Sequence, residues 1–169
     1  MSIPLIDEAG ILAISTRLQR LSEQLRKDCA LLYKAQGIDF EPKWFPVIYA
    51  LHQKPVLSVV EIATEIGYTH PSTISLLKEL EKHKLIRSRR DKQDERKRLL
   101  QLTDKGQALV TQMQPAWQVL TRVLTALTDT PNNLLTALDE VERALVQKSL
   151  IDRLLSAVET KPTRVSPTA

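Results

Sequence analysis

Apolar residues recur every three or four positions from Ile11 through Ile14, Leu18, Leu21 and Leu25 to Leu32. That spacing puts them on one face of a helix over 9–35, out of phase only at Asp28. At 1.5 Å per residue the helix is about 40 Å long, and Gly37 ends it. Glu41-Pro42 opens a second helix, with Pro42 suited to a first turn. This helix turns Val47, Ile48 and Leu51 inward, tolerates Pro46 near its start and closes at Pro55. Ser58-Val59-Val60-Glu61 reads as a capping box, in which the serine accepts from the third backbone N–H and the glutamate reaches back. The helix it starts ends at Gly67. Another follows over 70–82, with Thr69 as N-cap and Pro71 in the first turn. Ile74, Leu77 and Leu80 face the core there, and Ser72, Thr73, Ser75 and Lys78 lie elsewhere around the helix. Two short helices joined by a tight turn containing glycine make a helix-turn-helix.

After Leu85 the period changes. Residues 86–90 and 97–102 read as two short strands, and the charged stretch 91–96 as the loop between them, forming a basic hairpin beside the helix-turn-helix. Thr103-Asp104-Lys105-Gly106 then starts a long helix in which Val110, Met113, Trp117, Leu120, Leu124 and Leu127 form a heptad seam, with a kink expected at Pro115. Pro131 opens a further helix carrying Leu134, Leu138, Val141 and Leu145. Ser149 caps a last one with Leu150, Leu154 and Val158. Residues 160–169, rich in Pro, Thr, Ser and Arg, read as a disordered tail. The expected fold class is mainly α with a small two-stranded β-wing: a winged helix-turn-helix flanked by long helices.

Composition narrows the chemistry. Four glycines in 169 residues and an abundance of Leu, Ala, Glu, Lys, Arg and Gln agree with a helical chain. The start has no basic segment followed by an apolar run, and no stretch approaches the roughly 20 apolar residues a membrane span needs. A cytoplasmic protein with no membrane partner is expected. Cys29 is the single cysteine, so no internal disulfide framework exists. His52, His70 and His83 lack ligand spacing, and neither a metal nor a cofactor is expected. The chain has no glycine-rich phosphate loop and no nucleophile–base signature, which argues against an enzyme. The net charge of +4 is unevenly placed: the window 84–98 holds eight basic and three acidic residues, +5, leaving the rest of the chain at −1. A basic stripe on an otherwise balanced chain is the footprint of a polyanionic partner.

The order of these parts is particular. Residues 58–106, with the words Asp94-Glu95-Arg96 and Leu102-Thr103-Asp104-Lys105-Gly106, closely resemble the MarR family of bacterial transcription regulators. The similarity extends more weakly to Glu41-Pro42-Lys43-Trp44 and to the flanking long helices. The resemblance implies a homodimer joined by its first and last helices, with two winged domains gripping double-stranded DNA. The terminal apolar stripes agree independently, since burying one Leu is worth roughly 1.5–3 kcal/mol and one small winged domain could not cover them all. The implied divisions are a dimerisation helix at 1–38, the winged helix-turn-helix at 39–106, dimerisation helices at 107–159 and the tail at 160–169.

By the same resemblance, the helix over 70–82 enters the major groove, with Ser72, Thr73, Ser75 and Lys78 as the expected contacts. Many relatives carry a basic or amide residue where this chain has Leu76, which thins direct base readout. In the wing, Arg96 is the expected minor-groove residue, because a narrow A·T-rich groove concentrates negative potential. Arg89, Arg90, Lys92 and Lys97 suit phosphates. Asp94 would be repelled by phosphates, so Asp94 and Arg98 are expected to position the wing. Family members commonly release DNA when a small, often aromatic ligand binds between the dimer helices and the winged domain. Trp44, Tyr49, His52 and Trp117 are the candidates for such an effector pocket. Some relatives sense peroxide with a cysteine near the start of the first helix, whereas Cys29 lies near its end and reads as a small buried hydrophobe. The expected function is a sequence-specific regulator, a repressor on a pseudo-palindromic operator. The alternative is a DNA-architectural protein without an effector.

Overall fold

The computed structural model describes residues 4–91, 94 and 97–159. It divides into two compact units, Met1–Leu120 and Thr121–Ala169. In the first, a 3-10 segment over Leu5–Ala13 precedes helix α1, Ile14–Ala35. The regular helix thus begins five residues later than the apolar spacing predicts. Gly10 takes φ 58° and ψ −126°, a conformation open to a residue without Cβ and incompatible with a continuous helix. The detached segment is fastened back onto α1, where Arg20 Nη2 donates to Asp7 Oδ1 (2.8 Å) and Oδ2 (3.0 Å). At its far end α1 closes in a Schellman turn: the Ile38 amide donates to Tyr33 O (2.9 Å) and the Gly37 amide to Lys34 O (3.1 Å).

A 3-10 turn, Pro42–Trp44, leads into α2, Phe45–Gln53, with Pro46 in its first turn. Then come strand β1 (Leu57–Ser58), α3 (Val59–Ile66) and α4 (His70–Lys82). The capping box forms as its sequence predicts: the Glu61 amide donates to Ser58 Oγ (3.2 Å) and the Ser58 amide to Glu61 Oε2 (2.7 Å). The Ser58 backbone bond holds the Glu61 carboxyl below its usual range. Gly67 ends α3 in the left-handed conformation, and the Thr69 hydroxyl caps α4.

Strands β2 (Ile86–Arg90) and β3 (Arg98–Leu102) pair antiparallel, Ile86 opposite Leu102 and Arg90 opposite Arg98. The sheet has three strands, not two, in the order β1-β3-β2, with Leu57 opposite Leu100. A two-residue strand is too short to leave an alternation in the sequence, which is why the pattern misses it. Helix α5, Asp104–Thr128, follows and includes Pro115. One core joins these elements. Tyr33, Phe40 and Trp44 stack edge to face, with ring centroids 5.2 and 5.8 Å apart. Ile48, Leu51, Ile62, Leu77, Leu80, Leu100 and Met113 are fully buried around them.

The second unit holds the end of α5 with α6, Leu134–Gln147, and α7, Leu150–Glu159. Asn133 caps α6, three residues before the Thr136 amide it accepts from (3.0 Å), rather than the helix opening at Pro131. Ser149 caps α7 by accepting from the Asp152 amide (3.2 Å). Arg153 closes the turn between them, donating to Ala144 O (2.7 Å) and Lys148 O (3.0 Å). Neither α6 nor α7 buries a residue within the chain. Among the described residues, no helix is long and apolar enough to cross a membrane.

The base of the wing is locked by contact between backbones. Helix α4 ends with Lys84 at φ 59°, which turns the Lys84 and Leu85 carbonyls toward the start of α5. The Thr103 amide donates to Leu85 O (3.0 Å), its hydroxyl donates to Lys84 O (2.7 Å), and the same hydroxyl accepts from the Gly106 amide (3.1 Å). A Cβ on Gly106 would lie 2.1 Å from Leu85 O, an atom of the main chain that cannot swing aside. Gly106→Ala should therefore lower the unfolding free energy by about 1–3 kcal/mol. Urea denaturation checks this, and an unchanged midpoint would show that residues 85 and 106 are not in contact.

Candidate nucleic-acid interface

Helix α4 divides cleanly around its axis. Leu77 and Leu80 face the core, Leu76 packs partly against it, and Ser72, Ser75 and Lys78 are exposed together on the outer side. Thr73 does not join them. It is fully buried, with its hydroxyl donating to Thr69 O (3.0 Å), so the expectation that it contacts DNA is corrected. A threonine can bury in a helix because its own preceding turn supplies the acceptor. At the helix start, the Thr69 hydroxyl donates to Ser72 Oγ (2.9 Å), which orients the exposed serine.

The wing holds Arg89, Arg90 and Lys97 in the open. Its turn is closed by the Lys97 amide donating to Asp94 O (2.8 Å) and the Asp91 amide donating to Lys97 O (3.0 Å). The candidate contacts Lys92 and Arg96 lie outside the described residues. Two other arginines of the basic window already have partners within the fold. Arg87 lies across from Gln101, whose side-chain oxygen, turned toward it, accepts from Nη2 (2.5 Å) and Nε (2.7 Å). Arg98 is held by a glutamate on α4, its Nη2 lying 2.6 Å from Glu81 Oε1 and 2.5 Å from Oε2. The sequence does not single out Glu81, because its partner is 17 residues away. The available signal is an acid near the end of a helix followed by a base at the start of the returning strand. On the other flank of α4, Lys43 Nζ bridges Glu79 (2.7 Å) and Glu41 (2.9 Å). The Lys43 bond holds the Glu79 carboxyl below its usual range.

Of the four candidate effector residues, three gather. Trp117 meets Tyr49 at 5.9 Å and His52 at 6.3 Å between ring centroids, and Phe45 joins them at 5.5 Å from Trp117. Trp44 is elsewhere. It is a core residue packed between Phe40 and His83, so its place in an effector pocket is corrected. Its neighbours on α2, Val47 and Ile48, are buried too, and the aromatic group stands on the side of the helix that carries Phe45, Tyr49 and His52. A groove of about 380 Å³ continues from His52 along α5, lined by Gln107, Val110, Thr111 and Gln114 with Gln101 of the sheet. Among the described residues, no three His, Cys, Asp or Glu side chains are grouped to hold a metal ion.

Comparison with known proteins gives the class. Residues 38–97 match the MarR family model. The fold is similar to that of the transcriptional repressor CouR, solved bound to a 23-mer DNA duplex: 26% identity over 84% of this chain and 99% of that one, TM-score 0.67. It is also similar to the transcriptional regulator MosR of M. tuberculosis, solved with DNA, at 18% identity over 80% of this chain and 98% of that one, TM-score 0.68. A third similar structure is the PcaV regulator of Streptomyces coelicolor in complex with its natural ligand, at 20% identity over 85% and 96%, TM-score 0.61. No curated protein matches the chain by sequence. The fold is a winged helix with flanking helices, like that of these regulators, and the match to the MarR family model lies over its winged part, residues 38–97.

Cys29 lies partly buried beside the core. Burial, and then the negative charge of Asp28, push its thiol above the usual value, which disfavours the reactive thiolate. Ellman's reagent should label it at least roughly tenfold more slowly in the native protein than in urea, as the thiolate is the reacting species. Equal rates would show that the site is open to solvent and reactive.

Proposed function

We propose that the chain is a homodimeric transcription regulator that binds double-stranded DNA in a sequence-specific manner and represses from a pseudo-palindromic site. The observation that carries this reading is the exposed row Ser72, Ser75 and Lys78 on the second helix of a helix-turn-helix, beside a hairpin that keeps Arg89, Arg90 and Lys97 free of the core. The short hydroxyls and Lys78 suit base edges and phosphates in a major groove. Arg89, Arg90, Lys92 and Lys97 supply phosphate contacts, Arg96 enters the minor groove, and Asp94 with Arg98 positions the wing. The DNA-bound state of CouR supports the same use of this fold.

The apolar surface of each unit supports the dimer. In the first, Leu5, Ile11 and Leu12 are at least 77% exposed. In the second, Leu135, Val146, Leu150 and Val158 are exposed by half or more. Apolar side chains exposed in such number mark an interaction surface, and covering them with a second copy of the chain would be favourable. A small aromatic effector suits the group formed by Phe45, Tyr49 and Trp117, with His52 as a polar anchor. The family and fold point to regulation rather than catalysis.

Selection from a pool of random-sequence duplexes tests the reading. The full chain should enrich two inverted half-sites about one helical turn apart. Even protection along any duplex, with no enriched site, would instead mark an architectural protein. On the enriched duplex, Arg96→Ala should weaken binding and flatten the dependence of log K on log salt by about one unit. An unchanged slope would remove Arg96 from the interface.

A further inference from the structure

We propose that Glu81 is a positioning residue of the DNA grip: by holding Arg98 it fixes the wing against helix α4, and so sets the spacing between the groups offered to adjacent grooves. The proposal rests on the DNA-binding reading above and adds to it a residue outside the contact surface. Glu81 sits near the C-terminal end of α4, and Arg98 is the first residue of β3. Their contact at 2.5–2.6 Å therefore ties the outer part of the wing to the helix, while Ile86 and Leu102 hold the base of the hairpin through the core.

Three observations give the contact a role in recognition. The first is register. Arg90 stands directly opposite Arg98 across the two strands, and like charges in that relation repel. Glu81 neutralises one of the two, leaving Arg90 exposed and charged. The second is the sign of the charge. A bare carboxylate on a helix that approaches phosphates would oppose binding, and the Glu81 side chain, 24% exposed, is covered by Arg98. The other acid of this part of the helix, Glu79, is covered in the same way by Lys43, from the opposite flank and a different element. The third is commitment. One guanidinium nitrogen of Arg98 faces both Glu81 oxygens, so Arg98 is turned toward the protein rather than outward with Arg89 and Lys97. Recognition that uses a helix and a wing together fails when their separation drifts by more than about half an ångström.

The test uses the full chain, the duplex enriched by selection and three variants: Glu81→Gln, Arg98→Gln and the exchange Glu81→Arg with Arg98→Glu. Glu81→Gln should weaken binding roughly fivefold, the scale of one well-formed, half-exposed ion pair. In a hydroxyl-radical footprint it should lose the outer protection given by the wing while keeping the central protection given by α4. The exchange variant should bind within about twofold of the parent, because the pair is rebuilt with its charges reversed. If Arg98 instead touched DNA, a glutamate at 98 would leave the exchange variant at least as weak as Arg98→Gln, and the proposal would fall. It would fall equally if Glu81→Gln bound as tightly as the parent. Hydrogen exchange across β2 and β3 in the free protein separates this proposal from the reading beneath it. If the parent chain binds no duplex, the DNA-binding reading fails. Wing amides that exchange no faster in Glu81→Gln would show, with or without DNA, that Glu81 does not hold the wing.

Discussion

The carbonyl of Leu85 is the point on which the winged unit depends. Helix α4 ends just before it, the residue that follows β3 donates to it through the Thr103 amide, and α5 passes so close that residue 106 can carry no side chain. Three elements are thus joined by backbone at one place, and each then inherits its direction from the others. The word Leu102-Thr103-x-x-Gly106 has a physical meaning for each of its fixed letters. The leucine enters the core, the threonine both caps α5 and ties it to the end of α4, and the glycine permits contact. This junction adds to the pairing of β3 with β1 and to the burial of Ile86 and Leu102, which together anchor a hairpin that would be marginal in water if it stood alone.

How much of this was legible in the sequence depends on how local its cause is. The capping box at Ser58, the turn at Gly67 and the caps at Thr69 and Ser149 were readable, because each is decided by groups within four residues of one another. The strand limits at 86–90 were readable from the change of period. The misses have non-local or ambiguous causes. Thr73 reads as a surface residue by polarity, yet its hydroxyl is satisfied by its own helix and its methyl group packs inward. Trp44 and Trp117 read alike, and only the packing around Phe40 and His83 decides that one is core and the other is part of the aromatic group. Gly10 sits in phase with an apolar stripe, so the periodicity overrides the break that its backbone makes.

Charge was the property most easily misread. The window 84–98 carries +5 as a sum, but the fold assigns its cations to different tasks. Arg87 faces Gln101, Arg98 faces Glu81, and Lys84 occupies a left-handed turn that ends α4. Arg89, Arg90 and Lys97 are exposed on the wing, as is Arg87, whose guanidinium is engaged by Gln101. A count of basic residues therefore overstates the surface offered to a polyanion and says nothing of its shape.

The two glutamates of α4 complete that argument. On a helix proposed to approach phosphate they are out of place if taken singly, since each adds repulsion at close range. Each is paired with a cation, and the cations come from opposite sides: Lys43, which also holds Glu41, from the turn before α2, and Arg98 from the wing. A helix braced on both flanks keeps its angle to the sheet and to α2, which a helix with alanines at 79 and 81 would hold by core packing alone. Exposed ion pairs contribute little to stability, typically about 0–1 kcal/mol, so stability is a poor reason for having them here. Orientation is a better one, because Thr73, Leu77 and Leu80 fix the inner face of the helix in the core, while the ion pairs act where small rotations move the outer face most. A polar brace on each side opposes those rotations, and so narrows where Ser72, Ser75 and Lys78 point.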